Sequence, residues 1–214
     1  MGDNFVIVMK QDLSNNKTRW RILQAAREEF IAKGFRDASL RVIAREVGVT
    51  VSNIYNHFDN KDALFRAVLT PLLEASEAIL KEHCSEENME LYMNTPSRYR
   101  DVTVDEFVKL TKHYRTEIKL LFLRSGGSSL EHYKDSLLER QVAFGLTYLR
   151  AFKEKYPQVY SEVSPFFLKL SSTWWVNILT EIVSNDALTE AELEQGLREY
   201  VTFATAGWKE LMQI

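Results

Sequence analysis

A chain of 214 residues, 45% hydrophobic and 12% aromatic, can bury a substantial core in one or two domains, which argues for a compact globular protein and against a disordered one. A formal net charge of −3 excludes a uniformly basic surface, and the single cysteine, Cys84, excludes an intrachain disulfide or a thiol-rich metal site and suits a reducing compartment. With only four Pro and eight Gly and almost no alternating pattern, the composition predicts an all-α fold, with Cys84 as a small buried apolar residue. In chain order, residues 1–16 read as a flexible N-terminal extension. Their apolar run Phe5–Met9 is too short for a signal core or a membrane span and follows an acidic start, so a cytoplasmic protein with no membrane partner is expected.

The stretch from Ser39 to Leu64 is the most informative. Leu40, Ile43, Ala44 and Val47 repeat at i, i+3, i+4 and i+7, an apolar stripe on a short helix that Ser39 can cap and Gly48 stops. Thr50 can cap the next helix, which turns Ile54 and Phe58 inward and leaves Val51, Ser52, Asn53, Tyr55, Asn56 and His57 outward or flanking the seam. Two helices joined by a tight glycine turn make a helix-turn-helix. Asn60 can cap a third helix with Lys61 in its first turn, where the helix end disfavours a cation by roughly 0.3–1 kcal/mol. A phosphate reverses that sign, and Arg41, near the start of the Ser39-capped helix, poses the same conflict. Each cation alone is as well explained by solvation, and Tyr55 by interhelical packing; together they favour a DNA site.

The charge distribution agrees. Residues 17–66 hold ten Lys/Arg against six Asp/Glu, net +4, whereas residues 67–214 hold sixteen against twenty-two, net −6. That asymmetry fits a basic reading head (17–66) on an acidic helical body (67–214).

In the body, a helix from Asn60 is expected to reach about Ser85, with Pro71 kinking it near Ala67–Val68 or ending it there. Residues 86–100, containing Pro96, read as irregular or a short helix; Val104–Arg124 follows as a helix and Ser125–Ser129 as a break. Leu130–Tyr156 is the next helix, ended by Pro157. Ser164-Pro165 opens another, and Thr189 with Glu192 forms a capping box for the last, which runs to about Met212. Aromatic residues suffice for a ligand pocket, with Phe144, Tyr148, Phe152, Trp174 and Trp175 as lining candidates beside Phe166 and Phe167. Tyr133, Gln141, Asn177 or His113 could supply its polar contacts, although core packing explains most aromatics as well. Leu197, Tyr200, Ala204, Gly207, Trp208 and Leu211 form a stripe that suits either an intrachain core or a second subunit.

The head resembles the DNA-binding domain of the TetR (tetracycline-repressor-like) transcriptional regulators. The resemblance rests on Arg21-Ile22-Leu23-Gln24-Ala25-Ala26, Phe30, Gly34 and Phe35 for the first helix and its stop, then Gly48-Val49-Thr50, Ile54-Tyr55, His57-Phe58 and Asn60-Lys61-Asp62-Ala63-Leu64. It covers Lys17 to about Ala67. It implies that Thr50, Tyr55 and Lys61 hold phosphates, that Arg41 lies near the groove, and that Val51, Ser52, Asn53 and Asn56 can reach bases, with Ser39 and His57 completing the DNA-binding set. Asp59 is an unhelpful acid there. The resemblance further implies a homodimer built on the last two helices, here Trp175, Ile178, Ile182, Leu197, Tyr200, Ala204, Gly207, Trp208 and Leu211, and a small-molecule effector in the body. The expected function is therefore a ligand-responsive repressor of a double-stranded DNA operator.

An enzyme in the helical body, or a helix-binding partner protein keeping the head as a scaffold, is the alternative. The chain has no Gly-x-Ser-x-Gly or His-Glu-x-x-His motif, and His57, His83, His113 and His132 have no metal spacing, so no catalytic residue, metal or cofactor is expected.

Overall fold

The computed structural model describes residues 2–160 and 162–214, with side chains described from residue 16; residues 2–16, expected as a flexible extension, belong instead to the first helix, and the side chains of the Phe5–Met9 run lie outside the described residues. Among the described residues the fold is all-α: α1 (Gly2–Asp37), α2 (Leu40–Val47), α3 (Val51–Tyr55), α4 (Lys61–His83), α5 (Glu86–Asn94), α6 (Pro96–Leu123), α7 (Tyr133–Lys155), α8 (Pro165–Ser184) and α9 (Glu190–Met212). Two compact units result, Met1–Pro71 with Leu123–Glu131 (the head) and Leu72–Phe122 with His132–Ile214 (the body).

In the head, Ile22, Ala26 and Phe30 recur every four residues along α1 and are completely buried. Gly34 then leaves the helical region at φ 76°, ψ 172°. A Cβ there would lie 3.2 Å from the Arg124 carbonyl oxygen, to which the Phe35 N–H donates at 2.9 Å, so both backbone angle and close approach require glycine. The ring of Phe65 meets Phe30 and Phe35 edge-on, each at 5.0 Å. The segment Leu123–Glu131 is held in this unit by polar contacts. Ser129 donates from its N–H and its hydroxyl to the Asp62 carboxylate at 2.7 Å each, and Arg124 donates to the Ile31 carbonyl at 2.8 Å.

Pro71 neither ends α4 nor takes its neighbours out of helical geometry, contrary to expectation. Its missing N–H costs one intrahelical bond, but Val68, Leu69 and Leu72 are buried on either side of it and hold the helix. The stretch 86–100, expected as irregular or a short helix, is a short helix followed at Pro96 by the start of the next. Ser85 caps α5 by accepting from the Asn88 N–H, and Pro96 opens α6 at a position where its missing donor is harmless. In the body, Gly145 brings α7 close to α8, since a Cβ there would lie 3.1 Å from Leu168. Arg115 fastens the turn after α8 by donating to the carbonyls of Ile182, Asn185 and Leu188. Ser164 and Thr189 cap α8 and α9 as expected, the latter with the full capping box.

Candidate nucleic-acid interface and internal cavity

The helix-turn-helix is assembled by backbone closure. Gly48, at φ 73° and ψ 35°, ends α2 in the left-handed conformation that favours glycine, and the Val49 N–H donates to the Ala44 carbonyl at 2.9 Å. Thr50 starts α3 by accepting from the Asn53 N–H at 3.2 Å. Ile54 and Phe58 point into the core, so the opposite face of α3 presents Ser52, Tyr55 and Asn56 to solvent, with Tyr55 51% exposed. Val51, Asn53 and His57 sit half-buried at its edges, and Arg41 on α2 is exposed. The Asn53 Oδ1 atom is buried without a hydrogen-bond partner, which turns part of this amide away from solvent.

The side chain of Ser39 makes no cap, contrary to expectation. The Ser39 N–H instead donates to the Glu29 carboxylate at 3.0 Å. The cation at the start of α4 also has a local partner. Lys61 Nζ donates to the carbonyls of Arg36 and Ala38 at 3.1 Å each and lies 4.6 Å from the centre of the Phe35 ring. Its charge therefore meets the negative end of α1, which offsets the conflict with the positive end of α4. Two arginines work alike and carried no sequence signal of that role. Arg21 donates to the Val47 carbonyl at the end of α2 at 2.7 Å, and Arg19 donates to the His57 carbonyl at 2.9 Å while covering the Phe58 ring at 4.3 Å.

The body holds a half-open cavity of about 340 Å³ bordered by α4 to α9, at the small end of the range for small-molecule sites. Of the expected contacts, Phe144, Tyr148, Trp175, Tyr133 and Gln141 border it. Phe152 does not; it is completely buried in the adjoining core with Tyr92, Tyr148 and Tyr156 around its ring. Trp174 stands 48% exposed on the outer face of α8, and His113 and Asn177 are also exposed. The charged side chains along the wall are Arg140 and Glu77, which pair with each other, and Arg140 also donates to the Tyr133 hydroxyl at 3.3 Å. His83 was weighed in the sequence only as a metal ligand. In the structure it borders the cavity, stacks on Tyr148 and shares a hydrogen bond between its Nε2 and the Tyr99 hydroxyl at 3.2 Å. Desolvation lowers its pKa and raises those of Tyr99 and Tyr148, so all three are uncharged at neutral pH.

The expected dimer residues divide into three groups. Ile182 and Leu197 are buried within the protomer, contrary to expectation. Trp175 borders the cavity and stacks on Tyr200 at 5.4 Å, while Trp208 borders the cavity and packs edge-on against Phe167, with Ile178 and Ala204 half-buried. Gly207 and Leu211 face solvent. The expected dimer set leaves out the apolar side chains that are most exposed on these two helices: Phe166 (71%) and Trp174, expected in the pocket, with Leu170 on α8 and Phe203 (61%) on α9. Their spacing, 166, 170, 174 and 203, 207, 211, was the available signal.

Comparison with known proteins adds the following. The family model of bacterial regulatory proteins, tetR family, matches residues 22–68. The HTH-type transcriptional regulator UidR of Escherichia coli strain K12 is 27% identical over 191 residues, covering 86% of this chain and 91% of UidR. The HTH-type transcriptional regulator SrpR of Pseudomonas putida is 49% identical over 53 residues, 25% of each chain. The crystal structure of NalD, the secondary repressor of the MexAB-OprM multidrug efflux pump in Pseudomonas aeruginosa, superposes with a TM-score of 0.59 at 21% identity, covering 89% of this chain and 96% of NalD. Among the described residues no helix is long and apolar enough to cross a membrane.

Proposed function

We propose that this chain, whose residues 22–68 match the family of bacterial regulatory proteins, tetR family, and which is similar over most of its length to the regulator UidR, is a DNA-binding transcriptional regulator that works in the cytoplasm as a homodimeric repressor. Two heads bind the halves of a pseudo-palindromic operator, and a small molecule taken into the body releases them. The observation that carries this reading is the outward face of α3, where Ser52, Tyr55 and Asn56 are exposed beside Arg41 on a helix whose start Thr50 fixes. Asn56 and Ser52 are the base readers. Thr50 and Tyr55 hold phosphates, and Val51 and Asn53 sit at the margin of the groove.

The dimer face combines Phe166, Leu170 and Trp174 with Phe203, Gly207 and Leu211. Trp174 meets Phe203 at 5.2 Å, so the two helices present one continuous apolar surface, and leaving such a patch in water is unfavourable by about 25 cal/mol per Å². The sensor is the cavity. Phe122 and Tyr133 border it; Phe122 directly precedes the segment Leu123–Glu131, which belongs to the head unit, and Tyr133 follows it after His132. A ligand that moves either ring therefore pulls on a segment fastened to Asp62.

The test is genome-wide mapping of bound DNA, followed by binding of purified protein to the recovered duplex. The expected site is an inverted repeat with half-sites about 34–36 Å apart, occupied by two chains. A single half-site filled by one chain would remove the dimer, and operator binding insensitive to a broad library of small molecules would remove the sensor.

A further inference from the structure

The cavity's polar atoms narrow what it can hold, and the narrowing rests on the sensor reading above. His83 places its imidazole on the wall with Nε2 engaged by the Tyr99 hydroxyl and Nδ1 without a hydrogen-bond partner among the described residues. It retains accessible surface, yet protein surrounds it closely enough for desolvation to favour the neutral ring. A neutral imidazole can donate or accept at the free nitrogen, because Tyr99 can take the complementary role at the other. Beside it Thr103 is buried, and its hydroxyl neighbours the Tyr99 phenol without forming a hydrogen bond of good geometry. Aromatic rings supply the flanking walls, with Tyr148 stacked on His83 and Phe107 packed on Trp175 at 4.3 Å.

The electrostatics point the same way. Arg140 is the Lys/Arg side chain on the wall, and it is matched by Glu77 and bonded to Tyr133. An anion entering the cavity finds Arg140 already matched by Glu77 at a half-exposed part of the wall and no other Lys or Arg among the described lining residues, and a carboxylate buried deeper among the rings without a partner is strongly disfavoured. We infer that the cavity takes an uncharged, ring-bearing molecule whose hydroxyl or carbonyl oxygen meets Nδ1 of His83, and that it rejects the carboxylate of the same shape. The free nitrogen fixes the orientation, the rings hold the apolar part, and the Glu77–Arg140 pair selects against anions.

The experiment uses the full-length protein and three probes that share one ring system: naphthalene, 2-naphthol and 2-naphthoate at pH 7. Binding is read by quenching of tryptophan fluorescence, since Trp175 and Trp208 border the cavity, and by release of the duplex recovered in the mapping experiment. The expected result is 2-naphthol bound at least about tenfold more tightly than 2-naphthoate. His83→Phe keeps a ring for stacking on Tyr148, and Thr103→Val leaves the imidazole in place. His83→Phe is expected to weaken 2-naphthol about tenfold, the equivalent of one hydrogen bond, while naphthalene binds as before. Equal losses for both probes would show that His83 serves packing alone and would overturn its role as the oxygen contact. If His83→Phe does not fold, a smaller loss of 2-naphthol selectivity in Thr103→Val supports the cluster, and unchanged selectivity counts against it. Binding of 2-naphthoate as tight as that of 2-naphthol overturns the ligand class and leaves the sensor standing. Selective binding of 2-naphthol without operator release supports the ligand class and removes the sensor, whereas binding of none of the probes by protein that still holds the operator removes both.

Discussion

The head and the body dispose of their polar groups in opposite ways. In the head, the cations that reach helix ends are tied to carbonyls: Arg21 to the end of α2, Arg19 to the carbonyl just beyond α3 and Lys61 to the end of α1, while Ser129 answers Asp62. That closes each short helix on its neighbour and leaves one face of α3 free. In the body, larger helices pack mainly through apolar and aromatic side chains, and a cavity is left in which the Nδ1 atom of His83 and the hydroxyl of Thr103 have no hydrogen bond. A surface that must meet a duplex in one register gains from the first arrangement. A site that must recognise something absent most of the time gains from the second, because idle polar atoms are the ones a ligand can satisfy.

The comparison breaks most decisively if one half is unfolded. Phe65 is completely buried between Phe30 and Phe35, and Phe65→Ala is expected to destabilise the head by about 3–5 kcal/mol. Denaturant unfolding should then show two transitions, with DNA binding lost and probe binding in the body retained; one shared transition would mean that the two units fold as one. Gly207→Leu comes next. A Cβ on Gly207 meets nothing within the protomer, and leucine is a better helix former than glycine by up to about 0.8 kcal/mol, so the substitution should not unfold the helix. Sedimentation should nevertheless show monomers, and operator affinity should fall by orders of magnitude as one subunit is left to bind a half-site. A stable Gly207→Leu dimer would move the interface off this face.

The head was legible because its signals are local. The stripe Leu40, Ile43, Ala44, Val47, the glycine at 48 and the threonine at 50 each act within one turn of chain, and each stands as read. Ser39 misled because it stands at the cap position with an extended backbone but its hydroxyl makes no cap hydrogen bond, while its N–H is met by Glu29, distant in sequence. Lys61 was read as a conflict calling for phosphate, and the carbonyls that ease it belong to Arg36 in the last turn of α1 and Ala38 just beyond it. The body was less legible because one periodicity serves two masters. Leu197 and Gly207 lie on the same helix, yet one is buried in the protomer and the other faces solvent, and both fall on the one apolar stripe that the spacing marks out. Phe152 and Trp174 are aromatic like Phe144 and Trp175, and no local rule told wall from core or from surface.

Two smaller substitutions sharpen the contrast. Lys61→Met removes charge-assisted hydrogen bonds to two carbonyls and should destabilise the head by roughly 1.5–3 kcal/mol. If the ammonium also reaches a phosphate, the salt slope of operator binding falls by about one unit per subunit; an unchanged slope in folded protein leaves Lys61 as a clamp between α1 and α4. On the recognition face, Asn56→Ala should relax base preference at one position per half-site by about 1–3 kcal/mol. Asn53→Ala should do less, since its Oδ1 is already buried, and selection from random DNA ranks the two. A greater loss of specificity in Asn53→Ala would reverse the assignment.

The smallest effect separates the two regions by matching one device in each. Thr50 accepts from the Asn53 N–H at 3.2 Å and Thr189 from the Glu192 N–H at 3.3 Å, so both threonines open a helix in the same manner. Replacing either by alanine should cost about 1 kcal/mol of stability. Their pH behaviour differs. The Thr189 hydroxyl and N–H both donate to the Glu192 carboxylate, which lowers its pKa, so this contribution is present above the unfolded pKa of a glutamate and is lost as pH falls through the lower folded value. Thr50 has no such acid, since the residue three positions on is Asn53. Thr189→Ala should therefore flatten the acid limb of the stability profile while leaving operator affinity nearly intact. Thr50→Ala should leave that limb alone and weaken operator binding alongside stability, because its hydroxyl stands at the end of the helix that faces the duplex. Equal operator affinities for the two variants at matched stability would mean that Thr50 is a cap and nothing more.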